Sequence, residues 1–128
     1  MCPRKKKPKS IVYGIVHLPG MPKIAIDDPN TVAYLCVKNK DLSIFFKVGN
    51  QWKRKMSLKA FELQCDPMIF CHLGKQHSIN MSYAIKFRYY GRGIMVMLKN
   101  VEELYVAEVH IENFLFLANI FNVVEYVA

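Results

Sequence analysis

Short runs in which apolar and polar residues alternate, each closed by a turn signal, follow one another along most of this chain. A period of two places successive side chains on opposite faces of an extended strand, so a chain made of such runs folds as sheet. Residues 11–17 form the first run, and Leu18-Pro19-Gly20-Met21-Pro22 ends it as a loop. Asp28-Pro29-Asn30 is a second turn signal. Residues 31–38 and 42–48 read as a hairpin joined through Asn39-Lys40-Asp41. Gly49-Asn50 leads into a short strand at 51–57, and residues 58–64 suit a helical turn. Asp66-Pro67 restarts the chain before the apolar run 68–73.

Residues 79–90 give the clearest alternation. Ile79, Met81, Tyr83, Ile85, Phe87 and Tyr89 fall on one face, and Asn80, Ser82, Ala84, Lys86, Arg88 and Tyr90 on the other. Gly91-Arg92-Gly93 then predicts a hairpin into residues 94–99. From Asn100 the pattern changes. Asn100 as a cap, with Glu103 three residues later, predicts a mostly helical segment over 100–122, with alternation at 107–112 leaving room for a strand inside it. The expected fold is mainly β (α+β), an antiparallel sheet or small barrel of about six to eight strands with a helical C-terminal segment. No long βαβ crossover is visible, which argues against a Rossmann-type arrangement.

At 128 residues and 52% hydrophobic the chain suits one packed domain, expected over residues 11–128, behind a disordered arm at 1–10. No apolar run reaches the roughly 20 residues of a membrane span, and the N-terminus does not read as a secretion signal. The expectation is an intracellular protein, nuclear or cytoplasmic, with Cys2, Cys36, Cys65 and Cys71 as reduced thiols. Charge is unevenly placed. Residues 1–99 hold all 18 lysines and arginines against five acids, a balance of +13, whereas residues 100–128 hold five acids and neither base, a balance of −5. An anionic partner for the first part follows from that asymmetry.

Two groups of cations are candidate contacts. The arm carries Arg4, Lys5, Lys6, Lys7 and Lys9 in Arg4-Lys5-Lys6-Lys7-Pro8-Lys9. This segment resembles a monopartite nuclear localisation signal, which implies importin as a partner, and resembles the basic arms of small viral proteins that touch nucleic acid. Five clustered cations displace counterions from phosphates, giving salt-sensitive binding without sequence preference. The second group lies on strands. Ser43, Phe45 and Lys47 point away from the core-like set Leu42, Ile44, Phe46 and Val48; Lys53, Lys55, Ser57 and Lys59 alternate with Trp52, Arg54, Met56 and Leu58; Lys86, Arg88 and Tyr90 share a face. With these strands adjacent, one surface presents Lys47, Lys53, Lys55, Lys86 and Arg88 beside Phe45 and Tyr90. Cations that follow phosphates next to rings that stack on bases make a single-strand binding surface. Lysines on edge strands also serve to block aggregation.

Cys65, Cys71, His72 and His77 are zinc-type ligands close in sequence, but C-x5-C-H-x4-H is not a zinc spacing, and adjacent Cys71 and His72 on a strand point apart. No nucleophile elbow, phosphate-cradling glycine loop or spaced acid pair accompanies these cysteines, so no catalytic residue, metal or cofactor is assigned. The expected function is non-enzymatic binding of RNA or DNA through the arm and a basic sheet face. The alternative is a matrix-like protein that forms a homo-oligomer and binds an anionic membrane surface, since polybasic segments bind anionic lipids by the same electrostatics.

Overall fold

The computed structural model describes residues 15–16, 24–25, 32–47, 49 and 51–127. The basic arm and its five cations lie outside them, as do most of the first run and the Asp28-Pro29-Asn30 turn. Among the described residues, β1 (Ile15–Val16) and β2 (Ile24–Ala25) form a small antiparallel ladder. A five-stranded antiparallel sheet follows, built from β3 (Val32–Lys38), β4 (Asp41–Phe46), β5 (Gln51–Lys55), β6 (Phe70–His72) and β7 (His77–Asn80) in the order β5-β4-β3-β7-β6. A helical turn, α1 (Leu58–Glu62), connects β5 to β6. The second sheet contains β8 (Ala84–Tyr90), β9 (Gly93–Leu98), β10 (Glu103–Val106) and β11 (Val124–Glu125) in the order β10-β9-β8-β11, with helix α2 (Ile111–Phe121) between its last two strands. The mainly β, α+β class is as expected. The sheets are open, with no closed barrel among the described residues.

Local chemistry explains the joints. The β3–β4 hairpin closes through Asn39 and Lys40, with φ of 50° and 68°. Two positive φ values give a turn whose twist matches that of the paired strands, and asparagine tolerates this region better than most residues. The turn at Gly91 (φ 60°) joins β8 to β9. Helix α1 is too short to stand on its own propensity. Ser57 caps it by accepting the Ala60 N–H at 3.0 Å, and Leu58 and Phe61 anchor it by burial. Asn122, in the left-handed region at φ 60°, ends α2.

Two cores result, one on each side of the first sheet. Leu35, Leu42, Ile44 and Phe70 meet α1 through Leu58, Phe61 and Cys65. On the other side Tyr34, Cys71 and Ile79 meet Phe87, Ile94, Val96 and Leu98 of the second sheet and Phe114 and Leu117 of α2. Each large apolar side chain so enclosed contributes roughly 1.5–3 kcal/mol of transfer free energy.

Two expectations are corrected. The run 79–90 is not one strand. Asn80, fully buried, donates to the Val32 carbonyl at 3.0 Å and accepts the Ser82 N–H at 2.9 Å and its hydroxyl at 2.7 Å. Those bonds cap a 3-10 turn at Met81–Tyr83 that carries the chain from the first sheet to the second. Past it, a bulge at Ile85 shifts the register. Phe87 stays buried, while Ile85 and Tyr89 of the expected core face are exposed. The helix expected from Asn100 does not start there either. Asn100 Oδ1 accepts the Glu102 N–H at 3.1 Å in a turn, Leu98 donates to the Glu102 carbonyl, and β10 follows. The helix begins only at Ile111, so the strand inside the segment precedes it rather than occupying 107–112.

Gly93 begins β9 beside the end of β10, where Val106 pairs with Ile94. A Cβ there would lie 2.3 Å from the Val106 carbonyl oxygen and 2.5 Å from the Tyr105 ring. The backbone oxygen cannot yield without shifting β10. Gly93→Ala is therefore expected to destabilise by about 1–3 kcal/mol, read as a lower urea midpoint. An unchanged midpoint would mean that β10 is not held at this distance.

Candidate nucleic-acid interface

Strand register places side chains on the first sheet as a grid. Tyr34, Phe45 and Gln51 form one row across β3, β4 and β5; Cys36, Ser43 and Lys53 form the next; Lys38, Asp41 and Lys55 form the third. Directly paired residues of antiparallel strands share a face, so all nine side chains are on the side opposite α1. The β3 edge of this face runs under the core, and the β4–β5 half opens outward, with Gln51, Lys53 and Lys55 exposed and Phe45 half-buried. The expected outward positions of Phe45, Lys53 and Lys55 are met. Lys38, not singled out from the sequence, joins them across the Asn39-Lys40 turn.

The middle row is short. Cys36 and Ser43 leave a basin of about 310 Å³, lined also by Lys38, Asn39, Asp41, Phe45, Gln51 and Lys53. Burial pushes the Cys36 thiol above its ordinary pKa, so the floor of the basin is neutral at pH 7. Phe45 stacks on Tyr34 with centroids 4.4 Å apart and planes 12° from parallel. The Tyr34 hydroxyl donates to Glu102, and burial together with that carboxylate holds the phenol well above its ordinary range. Lys55 pairs with Asp41 at 2.9 Å. Lys47 turns toward the junction of the sheets, donating to Ser82 Oγ at 2.7 Å with its ammonium 5.6 Å from the Tyr83 ring centre.

Lys86, Arg88 and Tyr90 do share an outward face, but it is that of the second sheet. The neighbours of β8 are β9 and β11, not β4 or β5, because the Met81–Tyr83 turn takes the chain away. The single face drawn from Lys47 to Arg88 is thus divided between two sheets. The cations on β8 are also committed to local partners. Arg88 donates to Glu103 at 3.2 Å and lies over the Tyr90 ring, and Lys86 lies 4.4 Å from the Tyr126 ring centre. Glu103 accepts a second bond from Tyr126 Oη at 2.9 Å. The Arg88 hydrogen bond, then that of Tyr126, lowers the Glu103 pKa, and Arg88 is raised in turn.

The cysteine–histidine group is dispersed. Cys65 lies in the core under α1 and Cys71 in the core on the other side, while His72 Nδ1 is bonded to Glu62 at 2.8 Å. Among the described residues no cluster of three His, Cys, Asp or Glu could hold a metal ion, and no helix is long and apolar enough to cross a membrane.

A search of curated proteins finds no match. Among solved structures, the fold is similar to one titled "LytTr DNA-binding domain of putative methyl-accepting/DNA response regulator from Bacillus cereus", with TM-score 0.67 and 18% identity over 83% of this chain and 97% of that one. At that identity the likeness is one of fold. The model of the LytTr DNA-binding domain matches residues 23–118, from β2 through most of α2. The chain belongs to the LytTr DNA-binding domain family.

Proposed function

We propose that this chain is a non-enzymatic DNA-binding domain whose contact surface is the open β4–β5 half of the first sheet, aided by the basic arm. The observation that carries the reading is the grid itself: Lys38 and Lys53 stand on a face that the described residues leave uncovered, with the Phe45 ring beside their rows and Lys55 held at the rim by Asp41. Exposed ammonium groups on a sheet engage phosphates and release counterions. The family favours DNA over the RNA, lipid and importin partners that the sequence left open. Lys86 and Arg88 enter this reading as minor contacts, because a cation already bonded to Glu103 or seated on a ring loses more on leaving its partner than a solvated one.

The test is binding of a mixed-sequence duplex by fluorescence anisotropy over a salt series. Lys38→Glu with Lys53→Glu is expected to weaken binding and to flatten the slope of log K against log salt by about 0.9 for each phosphate no longer neutralised. Lys75→Glu, in the exposed β6–β7 turn, places the same kind of charge change elsewhere and is expected to do less. Equal losses per substitution at both places would mean that net charge, and not this face, carries the affinity.

A further inference from the structure

We propose that the basin over Cys36 and Ser43 is a site for one unpaired nucleotide, with the base against Phe45 and its phosphate between Lys38 and Lys53. The inference rests on reading this face as a nucleic-acid surface and adds what the basin receives. A flat sheet face would serve for phosphates alone. Here two small residues stand between a row of rings and a row of charges, and the hollow they leave has walls of different chemistry.

The aromatic wall is preorganised. Tyr34 covers one side of the Phe45 ring at 4.4 Å, Glu102 fixes Tyr34 through its hydroxyl, and the ring needs no reordering when a base meets it. The amides of Gln51 and Asn39 and the Ser43 hydroxyl supply both donors and acceptors for a base edge. Gln51 Nε2 donates to Ser43 Oγ at 3.2 Å, which holds those two groups together. The charged wall is net positive, because Asp41 is already compensated by Lys55. The Phe45 and Lys38 rows lie two rows apart on the sheet, about 13 Å, enough for a base, its sugar and one phosphate. A base within a duplex is stacked on its neighbours and cannot lie on Phe45, so only an unpaired nucleotide uses the whole basin.

The experiment compares the full chain with two variants that keep every charge. Phe45→Leu retains apolar packing on Tyr34 but removes the stacking ring. Ser43→Phe fills the hollow from an outward strand position. The probes are a ten-nucleotide oligothymidylate, a mixed-sequence duplex and free thymidine monophosphate as competitor. Each variant is expected to bind the oligothymidylate about tenfold more weakly and to lose clearly less on the duplex, whose bases stay stacked and whose phosphates meet the lysines. Displacement of the oligothymidylate by thymidine monophosphate would assign the site to a free nucleotide as well; failure to displace it would assign the site to strands. Equal loss on both strand probes, or no loss on either, overturns the basin while duplex binding by the parent stands. A parent chain that binds no duplex overturns the DNA reading of the face. Circular dichroism melting of both variants separates misfolding from a filled site.

Discussion

Phe114→Ala is expected to cost the fold about 3–5 kcal/mol, the range for a fully enclosed phenylalanine. Its side chain has no exposed surface. It meets Phe87 edge to face, with centroids 5.4 Å apart and planes 86° apart, and so fastens α2 to the second sheet. An eleven-residue helix holds little stability of its own, so α2 depends on the side chains it buries. Alanine there leaves a cavity under α2 that the paired strands of the second sheet cannot move to fill. Phe116, on the outer side of the same helix, is 56% exposed. Phe116→Ala is expected to change stability by no more than about 0.5 kcal/mol. Urea unfolding followed by circular dichroism compares the two. A costly Phe116 and a silent Phe114 would mean that α2 packs with its opposite side inward.

The second large effect concerns binding. Deleting residues 1–10 removes Arg4, Lys5, Lys6, Lys7 and Lys9, five of the 18 positive side chains. If each meets a phosphate, the salt slope flattens by up to about 4.5, at about 0.9 per phosphate. That is more than the sheet-face double substitution is expected to remove. Five cations, two prolines and no apolar run leave the arm little to bury, so the unfolding midpoint is expected to stay where it is. Anisotropy titrations at several salt concentrations measure the slope. A truncated chain with the parent's slope would show that the arm meets no DNA.

Local signals in the sequence carry through to the structure, and distant ones do not. Asn39 and Lys40 form the β3–β4 turn because asparagine accepts a positive φ, and the alternation beyond them sends Phe45, Lys53 and Lys55 outward as expected. Strand partnership is not a local property. Nothing in Lys86 or Arg88 tells which sheet receives β8; that is decided by Asn80, a polar residue whose burial depends on a carbonyl at Val32. The bulge at Ile85 likewise interrupts a pattern that periodicity reads as regular, turning Ile85 out while Phe87 stays in. Around Asn100, the same asparagine that caps helices also closes turns, and Glu103 is drawn into a strand by Arg88 and Tyr126. Lys38 was legible in principle: it continues the alternation Tyr34, Cys36, Lys38, and only its place at the strand end hid it.

The order β5-β4-β3-β7-β6 also bears on how the chain acquires its shape. Strands β8, β9 and β10 pair with sequence neighbours and need only short loops to close. The ladder of β3 with β7 joins segments far apart in the chain, and loop entropy must be met before any of its bonds form. The β8–β9–β10 part of the second sheet and the β3–β4–β5 hairpins that carry Phe45, Ser43 and Lys53 therefore gain their pairing early, while β3 and β7 join only when that distant ladder closes. Until then β3 shows an unpaired edge, with Tyr34, Leu35 and Cys36 open to the same edge of another molecule. The time during which this protein is prone to strand exchange is set by that one closure, and not by the surface it shows once folded.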